Sequence, residues 1–291
     1  MSESSAFFFD VNGVGSMRCR VSAMALVYAL VGLLGLPAAL AAPNPAKLQL
    51  QSSSALVMDV GTGKTLYQKN ATRVRPIASI TKLMTALVVL DARQDLGQTL
   101  TIDQNDRDAI KHTYSRVRMG TQVSRRDALH LALMSSENRM ASALARHYPG
   151  GRPAFVRAMN NKAKQLGMRN SRFYDSTGLS TRNISTAQDL AKLIAAAYRQ
   201  PLIREFTQDT SKDMRFRTPA YSLMFNNTNP LVKNPDWDVR LSKTGFTDEA
   251  GRCLLMRAKP DNRELAIVLL NSVGKRTPVG DANRIRKWLK S

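Results

Sequence analysis

Ser79-Ile80-Thr81-Lys82, continued by Leu83-Met84-Thr85-Ala86, is the stretch on which the fold turns. From Ser79 to about Leu96 the chain is rich in Ala, Leu and Met, with no Gly or Pro before Gly97. That composition predicts a mostly buried helix. Residues three apart on a helix share a face, so Ser79 and Lys82 project together. Two further motifs follow in order, Ser136-Glu137-Asn138 and Lys243-Thr244-Gly245. Each alone has an ordinary reading. Serine is a preferred helix cap, Ser and Asn suit a polar helix connection, and a lysine at a strand end is commonplace. Together they describe an acyl-transfer site whose serine nucleophile uses lysine as proton carrier.

Outward from this helix the chain reads as strands at both ends and helices between. Ser54–Val60 and Thr65–Gln68 flank the turn Gly61-Thr62-Gly63-Lys64, a hairpin signal. Residues 103–120 are polar and irregular. Ser124-Arg125-Arg126-Asp127 opens a helix to Leu133, and a second runs from Arg139 to Tyr148. Pro153 suits the first position of a helix ending near Leu166. Ser185-Thr186-Ala187-Gln188 reads as a capping box for Thr186–Arg199. Arg240–Thr244, Arg252–Ala258 and Glu264–Leu270 read as strands, and Asp281–Lys290 closes as a helix with Trp288. The fold class expected is α/β of the α+β kind: one antiparallel sheet from the N- and C-terminal strands, covered by helices.

The chemistry explains the choice of residues. At the first helical turn, free N–H groups and the helix dipole favour the negative charge of acyl transfer at Ser79. Lys82 can act as base only if burial and neighbouring cations lower its pKa. Lys243 is the expected second cation. Asn138 is placed to hold a substrate amide and the Lys82 ammonium, and Ser136 to relay a proton to the leaving amine. Thr244 is placed to bind a substrate carboxylate, and Gly245 to let a ligand backbone come close.

The first residues point to export. Arg18 and Arg20 precede an apolar run, Ala23–Leu36, and Ala39-Leu40-Ala41 is a small-x-small cleavage pattern. A membrane span needs roughly 20 apolar residues, more than this run has. Cleavage is expected near Ala41, with Met17 as an alternative start. Residues 42–291 then form a single catalytic domain in the periplasm. Cys19 leaves with the signal, so Cys253 remains alone, with no disulfide and the reading of a buried strand residue.

The formal charge is +21, with basic residues scattered and no nucleic-acid-type cluster. For an exported chain the polyanions at hand are cell-wall peptides with free carboxylates, anionic lipid head groups and envelope phosphates. Nucleic acid is not an expected partner. Gly61-Thr62-Gly63-Lys64-Thr65 is half a phosphate loop, but Met58 stands where the full pattern needs glycine. The three histidines, His112, His130 and His147, form no zinc motif, and there is no G-x-S-x-G elbow. No cofactor and no metal are expected.

At these motifs the sequence resembles the serine DD-peptidases, the low-molecular-mass penicillin-binding proteins. Ala78–Ala86, Leu133–Arg139, Ser176-Thr177-Gly178-Leu179 and Lys243-Thr244-Gly245-Phe246-Thr247 carry the likeness, which extends over about residues 52–285. The Ser-Glu-Asn form and residues 141–151 are most similar to the D-alanyl-D-alanine endopeptidase branch. The resemblance implies a DD-peptidase/β-lactamase-like fold and a β-lactam-sensitive acyl-enzyme on Ser79. It also implies an oxyanion hole from the N–H groups of Ser79 and Phe246, and cleavage of D-alanyl cross-links between peptidoglycan stem peptides. Carboxypeptidase members often add a β domain and an amphipathic membrane helix; here 46 residues follow Gly245. That favours a short, soluble enzyme, its last helix packed on the sheet or in weak contact with a membrane surface, and a monomer is expected. Asp175 lies where a deacylating carboxylate would be sought, but its context does not fit. Three other readings stay open at this point: a D-Ala-D-Ala carboxypeptidase, a serine β-lactamase-like hydrolase and a non-catalytic wall-binding protein.

Overall fold

Five antiparallel strands from the two ends of the described residues form the main sheet, whose last strand carries Lys243. The computed structural model describes residues 44–291, so the export segment, Met17 and Cys19 lie outside the described residues. β1 (Ser54–Asp59) and β2 (Thr65–Lys69) form the expected hairpin, its turn held by Asp59, whose Oδ1 accepts the Thr62 N–H at 2.9 Å. Four short strands follow: β3 (Arg75–Pro76), β4 (Thr99–Thr101), β5 (Gln122–Ser124) and β6 (Ile184–Ser185). β7 (Ser211–Arg217) and β8 (Ala220–Asn226) make a separate hairpin. β9 (Val239–Thr247), β10 (Gly251–Ala258) and β11 (Leu265–Ser272) complete the main sheet in the order β2-β1-β11-β10-β9. β9, which carries Lys243-Thr244-Gly245, is therefore an edge.

The helices are α1 (Thr81–Asp91), α2 (Arg125–Met134), α3 (Asn138–Arg146), α4 (Gly151–Gln165), α5 (Ala187–Tyr198), α6 (Pro201–Gln208) and α7 (Thr277–Trp288). The sheet is covered on both faces, so β11 is buried at nearly every position instead of alternating. Against one face pack α5 and α6, backed by α1 to α4 in a common core with Leu83, Leu87, Leu193 and Val268. Against the other lies α7, whose Ala282, Ile285 and Trp288 meet Val57, Leu254 and Ile267. Trp288 is 5% exposed, and its indole N–H donates to the Asn44 carbonyl at 2.8 Å. The apolar face of the last helix is thus used against the sheet. Cys253 is buried in β10, and burial pushes its thiol up to about 11.

Several boundaries differ from the expected ones. α1 ends at Asp91 because Ala92 caps it and Arg93 turns left-handed at φ 51°. Ser79 itself lies in a 3-10 turn, Ala78–Ile80, that leads into α1. The α5 cap sits one residue later than the Ser185 box: Thr186 Oγ1 accepts the Asp189 N–H at 3.1 Å, while Ser185 belongs to β6. α4 begins at Gly151, two residues before Pro153. α7 starts at Thr277, because Pro278 stands in the first turn, where a missing N–H is harmless. Among the described residues, no helix is long and apolar enough to cross a membrane.

Candidate active site

Three segments distant in sequence converge on Lys82. Its ammonium is fully buried and donates to Ser79 Oγ at 2.8 Å, Asn138 Oδ1 at 2.8 Å and the Thr177 carbonyl at 2.7 Å. These three acceptors match its three protons. The first and second motifs are thereby joined, and residues 176–179 enter through a backbone carbonyl. Burial lowers the Lys82 pKa to about 8, against the pull of Asp175, Glu137 and Asp108, which favour the charged form.

The third motif enters from β9. Lys243 is also fully buried, and its ammonium donates to the Thr244 carbonyl at 2.8 Å. Burial and the Lys82 charge together hold its pKa well below the usual lysine range. A charge on Lys82 therefore disfavours one on Lys243. For Lys82 itself, burial is the lowering cause.

The nucleophile turn is shaped by close backbone approach. Ala78, just before Ser79, has φ 46°, a left-handed conformation costly for a residue with a Cβ. A Cβ on Gly178 would lie 2.0 Å from the Ala78 carbonyl oxygen, and one on Gly245 would lie 3.0 Å from both the Ile77 oxygen and the Ser79 nitrogen. Gly245 thus lets β9 reach the nucleophile turn, in addition to any ligand. Asn183, fully buried, ties the same parts together. Its backbone carbonyl accepts the Ile77 N–H at 3.1 Å, and its Oδ1 accepts the Tyr174 N–H at 2.6 Å. Its Nδ2 donates to Thr81 Oγ1 at 3.2 Å.

Asp175 is occupied by its own loop. Its Oδ1 accepts from the Thr177 N–H and hydroxyl at 2.6 Å and from the Gly178 N–H at 2.7 Å, and its Oδ2 from the Ser180 N–H at 2.9 Å. It orders the turn that presents the Thr177 carbonyl to Lys82. A carboxylate so engaged is poorly placed to activate water.

Ser136 lies between α2 and α3 at φ 63° and lines the cleft with Ser79 and Asn138. Asn138 is fixed at the other end by its Nδ2, which donates to Thr113 Oγ1 at 3.0 Å. Thr244 Oγ1 donates to Thr228 Oγ1 at 2.6 Å, and the Thr228 N–H donates to the Met134 carbonyl at 3.2 Å. Thr228 therefore ties the third motif to the end of α2, two residues before Ser136. Phe246 is half exposed on the cleft wall. Thr247 does not line this cleft; its hydroxyl accepts the Ala250 N–H at 3.1 Å and shapes the β9–β10 turn. Lys111 pairs with Glu249 of that turn, so the segment 103–120 touches both the Asn138 wall and the β9 wall. The cleft encloses about 800 Å³ and continues from Ser79 past β10 to the start of α7. None of the histidines lines it.

Thr113, Thr177, Gly178, Asn183 and Thr228 had been given no role from sequence. Gly178 and Thr177 stood within a quoted stretch; the others carry no local signal, because only the fold brings them to the motifs.

The arrangement offers a serine beside a lysine of lowered basicity, a second buried lysine, and backbone N–H groups at an open sheet edge. It suits attack on a carbonyl and proton return to a leaving amine. The profile of a family described as D-alanyl-D-alanine carboxypeptidase matches residues 39–274. A D-alanyl-D-alanine endopeptidase of Pseudomonas aeruginosa is 50% identical over 247 residues, 85% of this chain and 80% of the relative. The corresponding endopeptidase of Escherichia coli is 48% identical over 251 residues, 86% and 81% of the two chains. Among solved structures, the Streptomyces K15 DD-transpeptidase superposes with a TM-score of 0.76 at 28% identity, covering 83% of this chain and 98% of that one.

Proposed function

Because this chain belongs to the D-alanyl-D-alanine carboxypeptidase family of serine DD-peptidases, we propose that it is an exported endopeptidase that hydrolyses D-alanyl cross-links of peptidoglycan through an acyl-enzyme on Ser79. The single observation that carries the mechanism is the Lys82 ammonium, buried and 2.8 Å from Ser79 Oγ. Neutral Lys82 takes the Ser79 proton as Oγ bonds to the D-alanyl carbonyl carbon. The oxyanion lies between the N–H groups of Ser79 and Phe246. The proton returns through Ser136 to the leaving nitrogen, and the C–N bond breaks. Water then attacks the acyl carbon and gives a proton to Lys82, which passes it to Ser79 Oγ as the acyl C–O bond breaks, releasing the acid and restoring Ser79. Asn138 holds Lys82 and the substrate amide, and Thr244 holds the carboxylate next to the leaving nitrogen.

Lys243 acts through charge. A substrate carboxylate arriving at Thr244 favours the charged form of Lys243, and repulsion between the two ammonium groups then favours neutral Lys82. Substrate binding in this way prepares its own base. Removal of the signal near Ala41, a periplasmic place, a single catalytic domain over 42–291 and a monomeric state complete the reading. The endopeptidase names of the two relatives near half identity support a cross-link as substrate. β-Lactams, which present a strained amide with a carboxylate, fit the same cleft and would acylate Ser79.

Digestion of purified cross-linked muropeptide dimers tests the reading. The expected result is conversion of dimers to monomers, lost in Ser79→Ala. Dimers that survive while pentapeptides lose D-alanine would replace it with a carboxypeptidase.

A further inference from the structure

The cleft is longer than a terminal alanine needs, and its far end is charged in one sense. Three cations line it, Arg252, Lys275 and Arg276, and no carboxylate does. Nearby arginines are neutralised: Arg257 by Glu264, Arg284 by Asp281, and Arg286 by Asp236 and Asp261. Among the described residues, Arg252, Lys275 and Arg276 meet no carboxylate within ion-pair distance. Arg252 instead lies over the Phe246 ring, 4.2 Å from its centroid.

The strand register fixes where these charges stand. Arg252 on β10 pairs with Phe246 on β9 and with Ser272 on β11. Ser272 leads directly into the loop that carries Lys275 and Arg276. From Gly245-Phe246 to that loop is thus two strand spacings, about 10 Å. One peptide residue spans about 3.5 Å, so a lone alanine leaving group ends well short of the loop. The leaving strand of a cross-link does not. Apolar Leu254, Pro278 and Val279 line the cleft beside this end. A less polar wall strengthens charge pairing at the far end.

We infer that Lys275 and Arg276 form a leaving-side subsite for a second carboxylate, one carried by the acceptor peptide of a cross-link and absent from a terminal D-alanine. This rests on the endopeptidase reading and sharpens it: the substrate is a peptide whose leaving half bears a carboxylate about three residue lengths beyond the scissile nitrogen. Thr244 takes the near carboxylate in both kinds of substrate, and the cation cluster takes the far one only in cross-links.

The test is the double variant Lys275→Gln/Arg276→Gln, assayed on a cross-linked dimer and on a monomeric pentapeptide. The expected result is a fall of about tenfold in kcat/KM for the dimer, carried by KM, and a much smaller fall for the pentapeptide; one lost charge-assisted contact has this magnitude. Amidating the far carboxylate of the dimer should produce the same loss in the unaltered enzyme and little further loss in the variant. Equal falls on both substrates, or no fall on either, would overturn the inference. Should the unaltered enzyme leave dimers intact, the endopeptidase reading fails, and the subsite is read by inhibition instead. A carboxylated acceptor peptide should slow fluorescent-penicillin labelling, less so after amidation or in the variant. Indifference to both changes would remove the subsite as well.

Discussion

At the residue scale, the two buried lysines decide the pH behaviour. Lys82 has its pKa lowered to about 8, and only its neutral form can take the Ser79 proton. Acylation by a β-lactam should therefore rise with pH through a limb near 8 and level off above it. A β-lactam ester, which lacks the carboxylate that favours charge on Lys243, should show that limb at higher pH than the free acid. Stopped-flow acylation at a series of pH values checks both; a flat profile from pH 6 to 9 would remove Lys82 as base. The two glycines at the nucleophile turn make a second residue-scale prediction. Gly178→Ala drives a Cβ to 2.0 Å from the Ala78 oxygen, at φ 86°, and should abolish acylation. Gly245→Ala meets backbone at 3.0 Å and needs a shift of tenths of an ångström, so labelling should fall but persist. Equal labelling rates in the two variants would contradict this ranking.

At the element scale, the turn from Ala78 to Ile80 is held from outside as much as by its own helix. Asn183 joins the loop at Tyr174-Asp175 to that turn and to Thr81. Asn183→Ala leaves several buried groups without partners, so a loss of about 2–4 kcal/mol in unfolding free energy is expected, measured by urea denaturation. Acylation should slow in the same variant, because the Thr177 carbonyl that holds Lys82 belongs to this loop.

Much of this level was legible in the sequence. The Ser79-to-Lys82 spacing, the end hairpins and the strand bearing Lys243 follow from local periodicity. β7, β8 and α6 had no expected counterpart. In β7 burial alternates, but one of the three inward positions is Lys212, so only Met214 and Phe216 mark the strand in the sequence. The cap of α5 and the start of α7 were displaced because Ser185 and Thr186 both suit a cap, and Pro278 with Gly280 reads as a break. Thr113 and Thr228 were invisible for a different reason: their roles depend on contacts across 25 and 16 residues, with Asn138 and Thr244 respectively.

At the scale of the whole molecule, one sheet connects the function to the ends of the chain. β1 lies beside β11, and α7 covers β10 and β11 from the face opposite α5, so the C-terminal helix supports the sheet whose edge strand carries Lys243. Trp288→Ala should lower stability by about 3–5 kcal/mol, the usual range for emptying a buried aromatic site. A thermal or urea unfolding curve reads that loss. A change below about 1 kcal/mol would mean that α7 is not needed to hold the sheet.

The central claim is a covalent acyl-enzyme on Ser79. Mass spectrometry of the protein after exposure to penicillin, followed by peptide mapping, tests it most directly. One adduct is expected, carried by the peptide that contains Ser79 and lost in Ser79→Ala. An adduct on another residue, or one retained in Ser79→Ala, would contradict it.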